Sequence, residues 1–266
     1  MTPFGVVGAS GRMGRALVNA IAEAPGATLA AATEVPGSVT LGLDPGTLAG
    51  AAATGVAISD DPSTFAGCAA VLDFTAPAAS TALAAQLADL GVAHVIGTTG
   101  FAPEEDEAIA AVAKRIAVVK SGNMSLGVNL LAALVRQAAK ALPQADLEIL
   151  EMHHRHKVDA PSGTALLLGH AAAEGRGIPL LENAVMSREG QTGARPEGTI
   201  GFATLRGGSV VGEHDVILAL EGERIRLGHE ALDRMVFARG GLAAGLWVAG
   251  KPAGHYTMND VLGLEA

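Results

Sequence analysis

Phe4-Gly5-Val6-Val7-Gly8-Ala9-Ser10-Gly11-Arg12-Met13-Gly14 begins as a short apolar run and ends in three glycines spaced G-x-x-G-x-x-G. The run suits a buried strand, and Met13, Leu17 and Ile21 then recur at helical spacing, which predicts a helix over Arg12–Ala24. The glycines therefore fall in a strand-to-helix turn. Glycine there permits positive φ and lets the backbone approach a pyrophosphate seated on the helix N-terminus. Such turns are common and the spacing departs from the more frequent G-x-G-x-x-G, but a second feature supports the reading. Glu34 stands about 20 residues beyond Gly14, at the end of the next apolar run, where a carboxylate accepts from ribose hydroxyls.

Outward from this turn, apolar runs and helical periodicity alternate. Strands are expected at Thr28–Thr33, Val71–Phe74, Val92–Ile96 and Ile116–Lys120. Helices are expected from about Ala78 to Leu90, started by Pro77, and over Ala102–Lys114, whose acidic front end suits the helix dipole. Gly37–Thr54, poor in charge and rich in glycine, reads as an irregular surface loop. This is the grammar of βαβ units around a parallel sheet. Gly97-Thr98-Thr99-Gly100 and Ser121-Gly122-Asn123-Met124-Ser125 each follow a strand, at the end where open α/β sheets bind ligands.

From Asn123 the pattern changes. A helix at Leu126–Leu142 and a strand at Asp146–Glu151 precede strands read as antiparallel at Glu197–Leu205, Val210–Val211, Asp215–Glu221 and Arg224–His229. The last two are expected to turn at Gly222-Glu223. A helix at Ala231–Val248, interrupted near Gly240-Gly241, and a short one at Asn259–Leu264 close the chain. The fold class is α/β: an N-terminal Rossmann-like parallel-sheet domain (1–123 and 239–266) with an inserted α+β domain (124–238).

Composition narrows the function. Hydrophobic residues make up 49% and aromatics 3%, so the core is built from Ala, Val, Leu and Ile. The single Cys68, in an apolar context, excludes an intramolecular disulfide and reads as a small core residue. No signal peptide and no membrane span are expected, and a net charge of −9 argues against nucleic-acid or membrane surfaces, so the expected location is the cytoplasm.

Against that acidic background stands Glu151-Met152-His153-His154-Arg155-His156-Lys157-Val158-Asp159-Ala160-Pro161-Ser162-Gly163-Thr164. It carries three of the chain's 8 His beside Arg155 and Lys157, a cationic island whose self-repulsion a small dianion would relieve. The Ser-Gly-Thr after Pro161 reads as a helix start able to hold a carboxylate. A zinc site at His154 and His156 lacks a nearby third ligand, and Arg155 and Lys157 repel a dication, so no metal is expected. A plain solvated patch leaves Asp-x-Pro-Ser-Gly-Thr unexplained. On strand parity Glu151, His153, Arg155 and Lys157 share one face, with the strand ending or twisting near His154.

The segment resembles the signature of the 4-hydroxy-tetrahydrodipicolinate reductases, E-x-H-H-x-x-K-x-D-x-P-S-G-T, and keeps every fixed position. Ser187-Arg188-Glu189-Gly190 and Gly198-Thr199-Ile200-Gly201 extend the match along nearly the whole chain. The resemblance implies reduction of a cyclic imine bearing two carboxylates, with loss of water, in lysine and diaminopimelate biosynthesis. It implies that His153 is a proton donor/acceptor and Lys157 a proton donor, and that His154, Ser162, Gly163 and Thr164 bind the substrate. Gly8, Ala9, Ser10, Gly11, Arg12, Met13, Glu34, Gly97, Thr98, Thr99, Ser121, Gly122, Asn123 and Met124 are the implied cofactor contacts, with domain closure around Asn123–Ser125.

Many relatives carry basic residues where this chain has Val35 and Ala76, so Glu34 is expected to favour NADH, with NADPH possible through Arg12. A homotetramer built through the second sheet is implied, and the strands within Asp215–His229 suit that role. Asp159 is expected to orient the Lys157 loop or to pair with a neighbouring cation rather than to perform chemistry. Arg155 and His156 are read either as auxiliary donors or as shaping the local field, and Arg195 and Arg206 either as balancing substrate charge or as facing solvent. Another NAD(P)-dependent dehydrogenase or imine reductase of this architecture, or a non-enzymatic nicotinamide sensor, would keep the glycine turn without needing the histidine segment.

Overall fold

Chain order is β1 (Thr2–Val7), α1 (Arg12–Glu23), β2 (Ala27–Thr33), α2 (Pro45–Leu48), β3 (Ile58–Ser59), β4 (Ala70–Asp73), α3 (Pro77–Leu90), β5 (Ala93–Ile96), α4 (Pro103–Val112) and β6 (Ala117–Lys120). It continues through α5 (Leu126–Ala141), β7 (Asp146–His153), α6 (Gly163–Arg176), α7 (Leu180–Asn183), β8 (Ala184–Val185) and β9 (Ile200–Arg206). Then come β10 (Gly212–Leu220), β11 (Glu223–Ala231), α8 (Met235–Val248), β12 (Gly254–Tyr256) and α9 (Met258–Leu262). These elements are those of a computed structural model, which describes residues 1–264.

Unit one comprises Met1–Leu126 with the segment from Arg234 onward; unit two is Gly127–Asp233. The divisions at 126/127 and 233/234 replace those expected at 123/124 and 238/239, because Met124 is 1% exposed in the core of unit one and α8 packs there as a whole. Positions 265 and 266 of the expected 239–266 segment lie outside the described residues.

In unit one the strands run β12-β6-β5-β4-β1-β2-β3, and every pairing is parallel. The strand order reverses between β1 and β4, the switch point at which such sheets take ligands. Both faces are covered. Leu72 and Val119 join one apolar cluster and their neighbours Val71 and Val118 another, which is why the strands read as unbroken apolar runs. Pro77 starts α3, and left-handed Gly91 (φ 68°) ends it.

Gly37–Thr54 is not wholly irregular, because the Asp44 side chain accepts from Thr47 N (3.0 Å) and caps the short helix α2. Nor do Gly240-Gly241 interrupt a helix that begins at Ala231: Ala231 ends β11, and α8 runs unbroken from Met235. Its glycines permit close packing instead. A Cβ on Gly240 would stand 1.7 Å from the Met124 carbonyl oxygen, and one on Gly245 would stand 2.9 Å from the Phe4 ring.

In unit two the sheet order is β11-β10-β7-β9-β8. β10 is antiparallel to β7 and β11, but β9 lies parallel to both β7 and β8, so the expected all-antiparallel run is a mixed sheet. Val210–Val211 is not a strand of its own; β10 begins at Gly212, and the hairpin turns at Glu221-Gly222, one residue before the place expected. Along β7 every second residue is buried. Leu147 and Ile149 pack with Leu168 of α6, and Glu151 and His153 continue that face to the strand end. A polar pair therefore ends the apolar face of the sheet.

Candidate active site

The turn after β1 belongs to unit one. Gly8 has φ 67°, and a Cβ on Gly14 would lie 2.0 Å from the Gly8 carbonyl oxygen, so glycine lets α1 start against the turn itself. Gly11 is the helix N-cap and supplies no side chain to the first-turn amides. Glu34 reaches back across the turn, its Oε1 accepting from Ser10 N (2.9 Å) and Ser10 Oγ (2.6 Å). An uncapped helix N-terminus, a close-approach glycine and a carboxylate at the end of β2 fit the pyrophosphate and ribose of a dinucleotide. Arg12 is exposed, whereas Ala9 is buried, and the Met124 side chain sits in the core. Ala9 and Met124 can meet a ligand only through main chain.

Thr98, Thr99, Gly100, Ser121 and Gly122 line a cavity of about 380 Å³ with Lys120 and His255, all within unit one. A buried network that sequence reading did not find lies beneath these loops. Asp73, at the end of β4, accepts from Thr75 N (3.0 Å) and Thr75 Oγ1 (2.6 Å), and its Oδ2 lies 3.1 Å from His94 Nε2. Ser80 Oγ donates to Thr98 Oγ1 at 3.0 Å. Asp73 and His94 are both 0% exposed. Burial pushes the Asp73 carboxyl up, but bonds from His94, Thr75 and Ser80 outweigh it and hold the group below its ordinary range. Thr98 is thus tied inward, while Thr99 faces solvent.

In unit two, β7 ends at His153, as expected. Arg155 and Lys157 lie past it in a turn closed by Lys157 N donating to the His154 carbonyl (3.1 Å), so strand parity joins Glu151 to His153 and does not extend to Arg155 or Lys157. Glu151 Oε2 lies 2.6 Å from His153 Nδ1, while its Oε1 accepts from Ser162 N at 3.0 Å. Arg206, at the end of the neighbouring β9, donates to both carboxylate oxygens, at 2.8 Å and 3.0 Å. Burial raises the Glu151 carboxyl, but Arg206, His153 and the Ser162 amide more than offset this, so it stays ionised below its ordinary range. Burial lowers His153, reinforced by Lys157 and Arg206, and Glu151 only partly opposes them; the resting imidazole is neutral.

His214, opposite Glu151 on β10, stacks edge-on against His153 with ring centroids 5.1 Å apart. Its Nε2 is 3.0 Å from Ser162 Oγ. Ser162 Oγ also accepts from Ala165 N (3.1 Å), so the residue expected to bind substrate is 1% exposed and caps α6.

Lys157 Nζ pairs with Asp159 Oδ1 at 2.8 Å. Burial raises the Asp159 carboxyl, yet Lys157 and the amides of Asp159 and Gly163 bring it below its usual value. The Gly163 amide thus lies near a carboxylate belonging to the chain itself. His154 follows β7 half-buried, with Nδ1 lacking a partner, and the exposed His156 has its ring 6.3 Å from it. Glu151 thus gathers His153 and Ser162, Asp159 gathers Lys157 and Gly163, and Arg206 joins the two sets by donating to the Asp159 carbonyl at 2.6 Å.

Arg206 and His214 had no linear signal as partners of His153, since β9 and β10 bring them to β7; Glu151 was placed beside His153 by its i, i+2 relation. Arg195 lies elsewhere, bound to Asp146 (2.7 Å), Glu148 (3.0 Å) and the carbonyl of Leu147.

Comparison with known proteins agrees across the chain. Residues 2–124 match the family model for the N-terminus of dihydrodipicolinate reductase, and residues 127–262 match that for its C-terminus. The chain is 57% identical to the 4-hydroxy-tetrahydrodipicolinate reductase of Rhizobium meliloti, covering 98% of this chain and 97% of that one. It is 59% identical to that of Brucella melitensis, covering 98% of each. Among solved structures, the fold matches dipicolinate-bound dihydrodipicolinate reductase from Paenisporosarcina sp. TG-14 with a TM-score of 0.77, at 22% identity and 97% coverage of each chain.

Proposed function

The chain belongs to the dihydrodipicolinate reductase family of NAD(P)H-dependent oxidoreductases, and from that premise we propose how its own residues reduce 4-hydroxy-tetrahydrodipicolinate. The observation that carries the reading is the convergence of His153, Lys157 and the start of α6 on two carboxylates bridged by Arg206. The net reaction takes up one hydride and one proton and releases water. The Gly8–Met13 turn and Glu34 would hold a dinucleotide, and Gly97, Thr98, Thr99, Ser121, Gly122, Asn123 and Met124 would contact its nicotinamide half; when bound it would supply the hydride.

The protein supplies the proton and the counter-charge. Lys157 carries an ammonium beside a site for a dianion, where it stabilises charge developing on the conjugated nitrogen and delivers the proton. His153 rests neutral, its proton affinity lowered by burial; an entering dianion raises that affinity, and the ring becomes donor or acceptor as required. Gly163 and Thr164, through their amides and the Thr164 hydroxyl, and His154 take the substrate carboxylates, and the Gly163 amide lies near Asp159 before substrate enters. Ser162 acts behind them as the cap that holds α6 in place.

NADH is the favoured cofactor. Glu34 repels a 2′-phosphate, and Val35 and Ala76 offer no cation to offset it. The protein works in the cytoplasm as a homotetramer assembled through the second sheet, whose outermost strand β11 alternates exposed and half-buried residues. No helix among the described residues is long and apolar enough to cross a membrane.

The test follows nicotinamide oxidation with substrate made in situ from pyruvate and aspartate semialdehyde by the preceding synthase. Turnover is expected with a higher kcat/KM for NADH, and His153→Ala and Lys157→Ala each lose about 10²–10⁴ in kcat while binding NADH normally. Full activity in either variant removes its residue from the chemistry. Folded wild-type protein that binds NADH but neither turns over nor is stabilised by 2,6-pyridinedicarboxylate overturns the substrate.

A further inference from the structure

Four donors converge on the Glu151 carboxylate, itself 1% exposed: His153 Nδ1 at 2.6 Å, Arg206 Nη1 at 2.8 Å, Arg206 Nη2 at 3.0 Å and Ser162 N at 3.0 Å. An ionised carboxylate only accepts, so the ring nitrogen facing it carries a proton. A neutral imidazole holds one proton, and with Nδ1–H engaged the lone pair resides on Nε2. Gly212 leaves room beside that atom, since a Cβ there would lie 3.0 Å from His153 Nε2. The ring is otherwise faced by His214 on β10, by Arg206 on β9 and by the charge of Lys157. Arg206 balances the Glu151 charge and, by donating to the Asp159 carbonyl, ties the Lys157–Asp159 loop to the same anchor.

We propose that Glu151 is a positioning residue that sets His153 in the Nδ1–H tautomer with Nε2 bare, and that through Arg206 it carries the Lys157 loop on the same carboxylate. The inference rests on the reading of His153 and Lys157 given above. Glu151 touches no reacting atom; it decides which nitrogen of the ring can take or give a proton. A glutamine of the same shape cannot replace it. Its single oxygen meets four donors, and its amide N–H groups oppose them.

The test is a ¹⁵N spectrum of the full chain labelled at histidine, with His153 assigned by its loss in His153→Gln. The expected wild-type signal is a protonated Nδ1 and an unprotonated Nε2. A wild-type Nε2–H tautomer overturns the proposal, and this measurement needs neither substrate nor a variant at Glu151. In Glu151→Gln the tautomer is expected to mix or reverse, with kcat falling at least about 30-fold and KM for NADH staying within about threefold. A folded Glu151→Gln whose kcat stays within threefold of wild type also overturns it. Wild-type protein that shows the Nδ1–H signal but no turnover would supply the tautomer asked for here and sink the functional reading instead.

Discussion

Glu34 Oε1 accepts from both the amide and the hydroxyl of Ser10, at 2.9 Å and 2.6 Å, so the carboxylate at the end of β2 and the glycine turn after β1 form one hydrogen-bonded piece. Whatever binds the turn also meets that charge. Glu34→Ala removes the repulsion of a 2′-phosphate and the brace on Ser10 together. The kcat/KM for NADH is expected to fall, that for NADPH to fall less, and their ratio to move about tenfold toward NADPH, the scale of one charged hydrogen bond. Steady-state kinetics with both cofactors checks this, and an unchanged ratio removes Glu34 from the discrimination.

Asp159 faces two groups assigned to the substrate, the Lys157 ammonium and the Gly163 amide. Its own carboxylate competes with an incoming one. Asp159→Asn keeps the shape and removes the charge, so 2,6-pyridinedicarboxylate is expected to bind about 3–10-fold tighter, roughly 1 kcal/mol. Titration calorimetry reads this directly; weaker binding would mean that Asp159 serves chiefly to orient Lys157.

Burial, with help from His153, lowers the His214 pKa from 6.5 to about 4. The unfolded chain therefore binds more protons than the folded one between those values, and stability falls as pH drops through that window. At about 1.4 kcal/mol per unit the contribution is about 3 kcal/mol at most. Denaturant unfolding at pH 7 and pH 4.5 should show the wild type losing stability and His214→Gln losing measurably less. Equal losses would mean that His214 does not set this dependence; Glu151, whose pKa is also depressed, adds its own loss at lower pH.

Gly240→Ala sets two effects against each other. Alanine favours a helix interior by about 1 kcal/mol, but its Cβ would meet the Met124 carbonyl oxygen at 1.7 Å, and that atom is backbone. The clash wins, because relieving it shifts α8 from the core. A net loss of about 2–3 kcal/mol is expected, seen as a Tm lower by several degrees. Thermal unfolding that leaves Tm unchanged would contradict the packing described for α8.

Legibility followed the range of the forces involved. Strands β1, β2, β4, β5 and β6 could be read because both sides of each are covered, which demands apolar residues in succession. β3, β8 and β12 went unseen: each is two or three residues long and exists through a neighbour's hydrogen bonds rather than its own pattern. Gly240-Gly241 misled because a glycine pair reads the same whether it breaks a helix or lets one pack closely, and only the carbonyl of Met124 distinguishes the two.

By itself the sequence determined the parallel-sheet class, the glycine turn with its acidic partner, and the family carried by Glu151–Thr164, because each is a local pattern of residue type and spacing. Only the tertiary structure decided that β9 runs parallel to β7, that Ser162 caps α6, and that Glu151, Arg206 and His214 surround His153. Those contacts join residues about 50 positions apart through strand pairing and burial. A buried charge draws its partners from whatever the fold brings within hydrogen-bond reach, and no spacing along the chain encodes that.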